Sequence, residues 1–175
     1  MDKLLLFNEE TERLKFRKLV DSDFDSWKPL FYEKDAAVFL GMDPKLDVDE
    51  LCKAWFTKCN WRYDNLKGGM NVLIHKESGE LIGQTGLLIQ EVDGKEMIEI
   101  GYSILPKFWG QGYASEAAVK CKEYAFKNEL ANELVSIIHP DNHGSAKVAM
   151  NNGMKLFKSI ENYKEMPVNI FRIKK

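Results

Sequence analysis

Apolar and charged residues alternate over residues 13–20, the pattern of a strand that buries one face. Three further strand-like segments follow at residues 70–75, 80–91 and 95–105. Ser78-Gly79 and Asp93-Gly94 separate these segments and are typical of hairpin turns. The pattern therefore predicts three consecutive antiparallel strands after the first one. A short buried strand at residues 134–139 and a closing hairpin at residues 154–160 and 167–173 complete the set.

Helical spacing of apolar residues predicts four helices between these strands. Asp21 and Asp47 are candidate N-caps of the first two helices, and Asn142 of the last. The third helix follows Gly112, and its predicted inner face is made of small side chains: Ala114, Ala117, Ala118, Cys121 and Ala125. Residues 38–45, which include Gly41 and Pro44, predict a loop. The fold class is therefore α/β, with a mixed sheet and helices on both of its faces.

Length and composition indicate one globular domain over residues 1–175. The net charge of −2 and the scattered basic residues give no indication of a nucleic-acid surface. No apolar run has the length of a membrane span, and residues 4–7 are too short for the core of a signal peptide. Three cysteines without paired spacing favour buried thiols in the cytoplasm, and no metal site is expected.

The run from Trp109 to Glu116 is the most informative stretch of the chain. It follows a predicted strand, contains Gly110 and Gly112, and leads into a predicted helix. Backbone N–H groups at such a loop can converge on a phosphate, and the helix dipole favours negative charge there. The spacing matches neither a P-loop nor Gly-x-Gly-x-x-Gly, because the third position of the latter is Ser115.

The loop resembles the pyrophosphate loop of the GNAT acyltransferase superfamily, Gln/Arg-x-x-Gly-x-Gly/Ala, with Trp109 in place of Gln/Arg. The resemblance extends along nearly the whole chain, in order, to the branch of ribosomal-protein N-terminal acetyltransferases that act on alanine or serine. Its other parts are residues 11–24, the Asn142-x-x-Ser145 helix start, and Asn152-Gly153-Met154, where Met154 replaces the usual Phe. This resemblance implies a mostly antiparallel GNAT-like sheet that is split by the acyl-CoA site.

Acetyl-CoA as donor and a primary amine as acceptor are what the resemblance implies. The pantetheine arm would pair with backbone groups of Tyr102 and Ile104, and Asn142 would bind its amides or cap its own helix. The pyrophosphate would be held by the loop and the first helical turn: Gly110, Gln111, Gly112, Tyr113, Ala114 and Ser115.

Acetyl transfer to an amine needs a base, an oxyanion donor and a proton for the leaving thiolate. Glu99 is the candidate base, because apolar neighbours would raise its pKa; the alternative is a paired strand carboxylate. A backbone N–H between Tyr102 and Ile104 is the candidate oxyanion donor. Ala149 matches the position where many members of the superfamily have the Tyr that donates this proton. The resemblance to the N-terminal acetyltransferase branch implies Ser145 as the substitute donor; the alternative is that Ser145 only caps backbone. Among the histidines, His139 is the one most open to a catalytic role.

The predicted function is an N-acetyltransferase for a protein or peptide N-terminus or for a small amine. The alternative is a non-catalytic acyl-CoA-binding module. Trp55, Trp61 and Tyr63 are candidates for an acceptor cleft, although Trp55 equally fits the core. The chain is expected to be a monomer or a homodimer, and the last strand around Ile170 is the place where a partner would pair.

Overall fold

A seven-stranded mixed sheet runs through the computed structural model, which describes residues 2–175. The strands are β1 (Leu14–Arg17), β2 (Gly68–His75), β3 (Leu81–Val92), β4 (Lys95–Ile104), β5 (Glu133–Ile138), β6 (Lys155–Tyr163) and β7 (Met166–Lys174). Their order in the sheet is β1-β2-β3-β4-β5-β7-β6. All neighbours are antiparallel except β4 and β5, which are parallel. The predicted mixed, mostly antiparallel sheet is confirmed.

Helices cover both faces of this sheet. They are α1 (Phe24–Trp27), α2 (Ala36–Phe39), α3 (Val48–Asp64), α4 (Tyr113–Lys127) and α5 (His143–Asn151). The small-residue face of α4 packs with α5 in one hydrophobic cluster, and α1 to α3 form a second cluster on the other face. Within residues 2–175, no helix is both long and apolar enough to cross a membrane.

The first helical region and the predicted loop differ from expectation. Asp21 does not cap a helix, because the N-cap of the first turn is Val20. The Val20 backbone N–H donates to the Asp23 carboxylate at 3.0 Å, and Asp23 also pairs with Arg17 at 2.7 Å. The region consists of short turns, Asp21–Asp23, α1 and Lys28–Tyr32, rather than one helix. Residues 38 and 39 belong to α2, since burial of Ala36 and Ala37 stabilises a helical turn that local composition does not indicate.

The N-terminal segment is part of the core. Leu6 is fully buried, and its backbone N–H donates to the side-chain oxygen of the buried Asn71 at 3.0 Å. Asp2 accepts the backbone N–H of Gly68 at 2.7 Å. The sequence gives no sign of this role, since a lone apolar tetrapeptide has no periodicity.

The expectation that the strand around Ile170 lies open to a partner is wrong. Ile170 belongs to β7, which is paired with β5 on one side and with β6 on the other. The edges of the sheet are β1 and β6. The hairpin that joins β6 to β7 places β7 between β5 and β6.

Because Leu6 is buried, we expect Leu6→Ala to lower the free energy of unfolding by about 2–5 kcal/mol. The matched control is Leu156→Ala on the edge strand, where the side chain is 57% exposed, and its effect should stay within about 0.5 kcal/mol. Urea unfolding measures both. Equal midpoints for Leu6→Ala and the unsubstituted protein would contradict the packing of this segment.

Candidate active site

The parallel strands β4 and β5 stay paired over only two positions, Ile98 with Leu134 and Glu99 with Val135. Beyond these pairs the strands diverge and a gap opens in the sheet. On the other side of β4, the backbone N–H of Leu105 donates to Ile82. Hydrogen-bonded pairs alternate in an antiparallel ladder, so the backbone groups of Tyr102 and Ile104 turn away from β3, toward the gap.

A groove of about 1000 Å³ passes through this gap and reaches both faces of the sheet. On the α3 face it is lined by Glu99 and Trp55, and on the α5 face by Asn142 and Ser145. The two candidate catalytic side chains, Glu99 and Ser145, therefore open into one cavity from opposite faces.

The predicted anion-binding loop lies at one end of the groove. Gly112 is the N-cap of α4 with a φ of +82°, which favours glycine, and no side chain caps the helix. The first-turn N–H groups of Tyr113, Ala114 and Ser115 have no partner inside the helix, and they lie beside the groove. Gly110 also lines the groove, whereas Gln111 points its side chain to the carbonyl of Lys107 and does not.

An ion pair holds this loop from the residue before β1. The Arg13 guanidinium pairs with Glu116 at 2.6 Å, donates to the Gln111 carbonyl at 3.0 Å and lies over the Tyr113 ring at 4.3 Å. Glu116 also accepts the Thr11 hydroxyl at 2.6 Å and the Arg13 backbone N–H at 3.0 Å. These contacts hold the pKa of Glu116 below its ordinary value against the opposing effect of burial. Sequence reasoning missed this clamp because its two halves are 103 residues apart.

The backbone groups that the resemblance assigns to pantetheine are partly occupied. The Ile104 carbonyl accepts the Trp109 indole N–H at 2.7 Å, which leaves the Ile104 N–H facing the gap. Ser136 donates to the Ile100 carbonyl at 2.8 Å, deeper in the same gap. Asn142 uses its side-chain oxygen to cap the Ser145 N–H at 3.1 Å, so its amide NH₂ remains as a donor beside the groove.

Two hydroxyl groups lie where β4 faces α5. The Tyr102 phenol donates to the Ser145 carbonyl at 2.6 Å, and burial raises the pKa of Tyr102, which keeps it protonated. Ser145 lines the groove, and its N–H is already capped by Asn142, so its hydroxyl is not needed as a cap. Ala149 is buried in the core and carries no acid.

Glu99 is held in a polar cluster on the α3 face. Its carboxylate accepts the Gln90 amide at 2.7 Å, and the Gln90 oxygen accepts the Lys164 ammonium at 2.9 Å. Burial raises the pKa of Glu99, although the Gln90 hydrogen bond, Arg62 and Lys58 act in the opposite direction. A raised pKa is what a base near neutral pH requires.

Sequence reasoning missed the cationic side chains that lie near Glu99. Lys58 and Arg62 lie one turn apart on α3 and line the groove with Lys164 and the Tyr163 ring. The available signal was the position of Arg62, three residues after Cys59 on the buried stripe of α3, where a charged residue needs a partner.

The remaining candidates from the sequence divide into residues that line the groove and residues that do not. Trp55 lines the groove and is also core, with its indole N–H bonded to Gln84 at 3.1 Å. Trp61 is 55% exposed and Tyr63 bonds the Met70 carbonyl, so neither belongs to an acceptor cleft. His139 lines the groove, and its Nδ1 is already engaged by the Asp141 backbone N–H at 3.2 Å.

The three cysteines are buried free thiols. No group of three or more metal-ligating side chains of the His, Cys, Asp or Glu type comes together among residues 2–175.

A mixed sheet split between its parallel strands, with an uncapped helix start at the split, is the fold of the GNAT acetyltransferases. A family profile described as "Acetyltransferase (GNAT) domain" matches residues 13–155. The chain belongs to the GNAT acetyltransferase family, whose members use acetyl-CoA, and it is an N-acetyltransferase.

Relatives support this membership over the full length. The uncharacterized protein YkkB of Bacillus subtilis is 31% identical over 169 residues, which cover 94% of each chain. The solved structure of RimL, a ribosomal L7/L12 α-N-protein acetyltransferase in complex with coenzyme A, has a TM-score of 0.72 at 18% identity and covers 95% of this chain and 97% of its own.

Spermidine N-acetyltransferase from Vibrio cholerae, solved with CoA and spermine, has a TM-score of 0.71 at 16% identity and covers 94% of this chain and 96% of its own. At these identities the two solved structures share the fold alone.

Because Arg13 ties the loop to β1, we expect Arg13→Ala to raise the Kd for CoA about tenfold, equivalent to about 1.4 kcal/mol. The control is Arg172→Ala, which breaks an ion pair with Glu133 at 3.6 Å on another strand pair and should leave this Kd unchanged. Calorimetry with CoA measures both variants. An unchanged Kd in folded Arg13→Ala would mean that the loop keeps its shape without the clamp.

Proposed function

We propose that this protein transfers the acetyl group of acetyl-CoA directly to a primary amine, of a protein or peptide N-terminus or of a small molecule. The observation that carries the proposal is the single groove that joins Glu99 on one face of the sheet to the α4 and α5 helix starts on the other. We further propose that residues 1–175 act as one catalytic domain in the cytoplasm, where three buried free thiols remain reduced.

The cofactor would lie along the α4 and α5 side of the gap. Its pyrophosphate would meet the loop and first-turn N–H groups at Gly110, Gln111, Gly112, Tyr113, Ala114 and Ser115. Its pantetheine arm would pair with the free backbone groups of Tyr102 and the N–H of Ile104, and the NH₂ of Asn142 would donate to an amide carbonyl. The support for this placement is that these groups face the groove without an internal partner, apart from Gln111.

Three groups of the chain would carry the chemistry. Glu99 takes a proton from the ammonium, directly or through water, and the free amine attacks the thioester carbonyl. A backbone N–H of Tyr102 or Ile104 stabilises the oxyanion. As the C–S bond breaks, Ser145 donates its hydroxyl proton to the thiolate on the α5 side. The second proton that leaves the attacking nitrogen returns through water to the Ser145 oxygen, and Glu99 releases the first proton to solvent. No covalent enzyme intermediate is needed.

The alternative, a non-catalytic acyl-CoA-binding module, would fit a chain without these side chains. This chain has a carboxylate with a raised pKa at one end of the gap and a hydroxyl at the other. We therefore favour the enzyme.

The test is CoA release from acetyl-CoA in the presence of primary amines and short peptides, followed with a thiol reagent. Release that depends on the amine is expected. Tight binding of acetyl-CoA without release for any amine would support the binding module.

In the same assay, Glu99→Gln should lower kcat about 100-fold, because it removes the base. A base works deprotonated, so activity of the unsubstituted enzyme should rise with pH through the raised pKa of Glu99, and Glu99→Gln should lose this rise. Glu96→Gln, on the same strand but exposed, is the control. An unaltered pH profile in Glu99→Gln would place the base elsewhere.

Ser145→Ala should lower kcat about tenfold with little change in CoA affinity, because its hydroxyl serves the thiolate and not the helix cap. Tyr102→Phe is the companion variant, since the Tyr102 phenol lies beside the same turn of α5. Steady-state kinetics and unfolding curves separate turnover from stability. A kcat loss in Tyr102→Phe with none in Ser145→Ala would assign the proton to the phenol.

A further inference from the structure

The α3 end of the groove carries an excess of positive charge. Lys58, Arg62 and Lys164 line it, and Glu99 is the carboxylate among them. None of the three cations forms an ion pair within 4 Å in the part of the chain that the structure describes. Among the side chains that line this end of the groove, three are cationic and one is a carboxylate.

The three cations differ in how they are held. Arg62 is only 7% exposed and donates to the carbonyls of Lys67 at 3.1 Å and Ile89 at 3.3 Å, so it is fixed in the wall opposite Glu99. Lys164 donates to Gln90 at 2.9 Å and belongs to the turn between β6 and β7. Lys58 is an exposed residue that lines the groove, and partial desolvation by the groove wall, followed by the charge of Arg62, lowers its pKa.

A neutral polar group completes the cluster. The Tyr163 hydroxyl is buried beside the groove and has no hydrogen-bond partner among residues 2–175. Burial raises the pKa of Tyr163 to about 12, so the group is a neutral O–H that can donate. A buried hydroxyl without a partner is uncommon, and it leaves a donor available to an oxygen of a bound molecule.

Carboxylates at the mouth of the groove do not cancel this charge. Glu33 and Asp35 lie at the rim on the loop before α2, beside Lys34, and all three are exposed. Exposed charges are screened by solvent and salt, and Lys34 lies between the two rim carboxylates. Arg62, by contrast, is only 7% exposed, so its charge acts beside Glu99 in surroundings of lower polarity. The inner end therefore attracts an anion and repels a polycation.

We propose that the acceptor amine carries a carboxylate close to its nitrogen, and that Lys58, Lys164 and the Tyr163 hydroxyl bind this carboxylate while the ammonium faces Glu99. The proposal rests on the acetyl transfer proposed above and names its acceptor class. A free amino acid and a peptide with an acidic side chain near its N-terminus share this chemistry. A polyamine lacks it.

The test compares acceptors that differ only in the carboxylate. Alanine, methionine and glutamate are each paired with their carboxamides, peptides that begin with aspartate are paired with those that begin with asparagine, and spermidine is the polycation. We expect kcat/KM to be at least about tenfold higher for the carboxylate member of the preferred pair. The pair that shows the larger preference distinguishes a free amino acid from an acidic peptide.

Substitutions of the two groove lysines test which side chains cause the preference for a carboxylate. Lys58→Met and Lys164→Met should each raise KM for the carboxylate acceptor about tenfold. The KM for the corresponding amide should change little, and the Kd for CoA should not change. Lys53→Met, on the exposed side of the same helix, is the charge-matched control. A preference for spermidine, equal use of acids and amides, or selectivity that survives both groove variants would overturn the proposal.

Binding gives a readout that does not need turnover. Calorimetry of each acid and amide with the protein–CoA complex should show tighter binding of the acid, and Lys58→Met should abolish the difference. If this preference is found without any CoA release, the anion site stands and the catalytic proposal fails. If CoA is released but acids are not preferred over amides, the catalytic proposal stands and the anion site fails. Acids that bind no better than amides also overturn the anion site.

Discussion

The early end of pairing between β4 and β5 is the constraint on which the rest of the site depends. After Glu99 and Val135 the two strands diverge, and backbone groups near the centre of a sheet lose their partners. Buried backbone groups must be paired. Ser136 satisfies the Ile100 carbonyl and Trp109 satisfies the Ile104 carbonyl, while groups of Tyr102 between them remain turned toward the groove. A gap of this kind accepts an extended ligand in place of a strand.

The groups around the gap are held by long-range contacts rather than by local structure. Arg13, the residue before β1, fixes the loop before α4, and the Tyr102 phenol fixes the first turns of α5. Asn142 caps α5 and still presents its NH₂ to the groove. Both helix starts are thereby set on one side of the gap without any side chain that would block the N–H groups of α4.

Glu99 shows what a buried carboxyl group costs the stability of the fold. Its pKa is raised by burial, so the folded protein binds this proton more tightly than the unfolded chain does. The resulting contribution to stability is present below the ordinary pKa of the carboxyl and is lost as pH rises through the raised value. At neutral pH the fold therefore carries a buried carboxylate at a cost, and Gln90, Arg62 and Lys58 reduce that cost.

Much of the architecture followed from the sequence, because hydrophobic periodicity and turn residues are local signals. The three central strands, the small-residue face of α4, the glycine loop and the Asn142 cap lie where the pattern placed them. The cap of the first helical turn, the helix at residues 36–39 and the core role of Leu6 were not predictable, since each depends on contacts with distant parts of the chain. The chemical types of Glu99, Ser145 and the glycine loop were determined by the sequence. Only the tertiary structure decided that Glu99 and Ser145 open into one groove and that Lys58, Arg62 and Lys164 lie around Glu99. Strand order and side-chain direction bring these residues together, and no sequence spacing connects them.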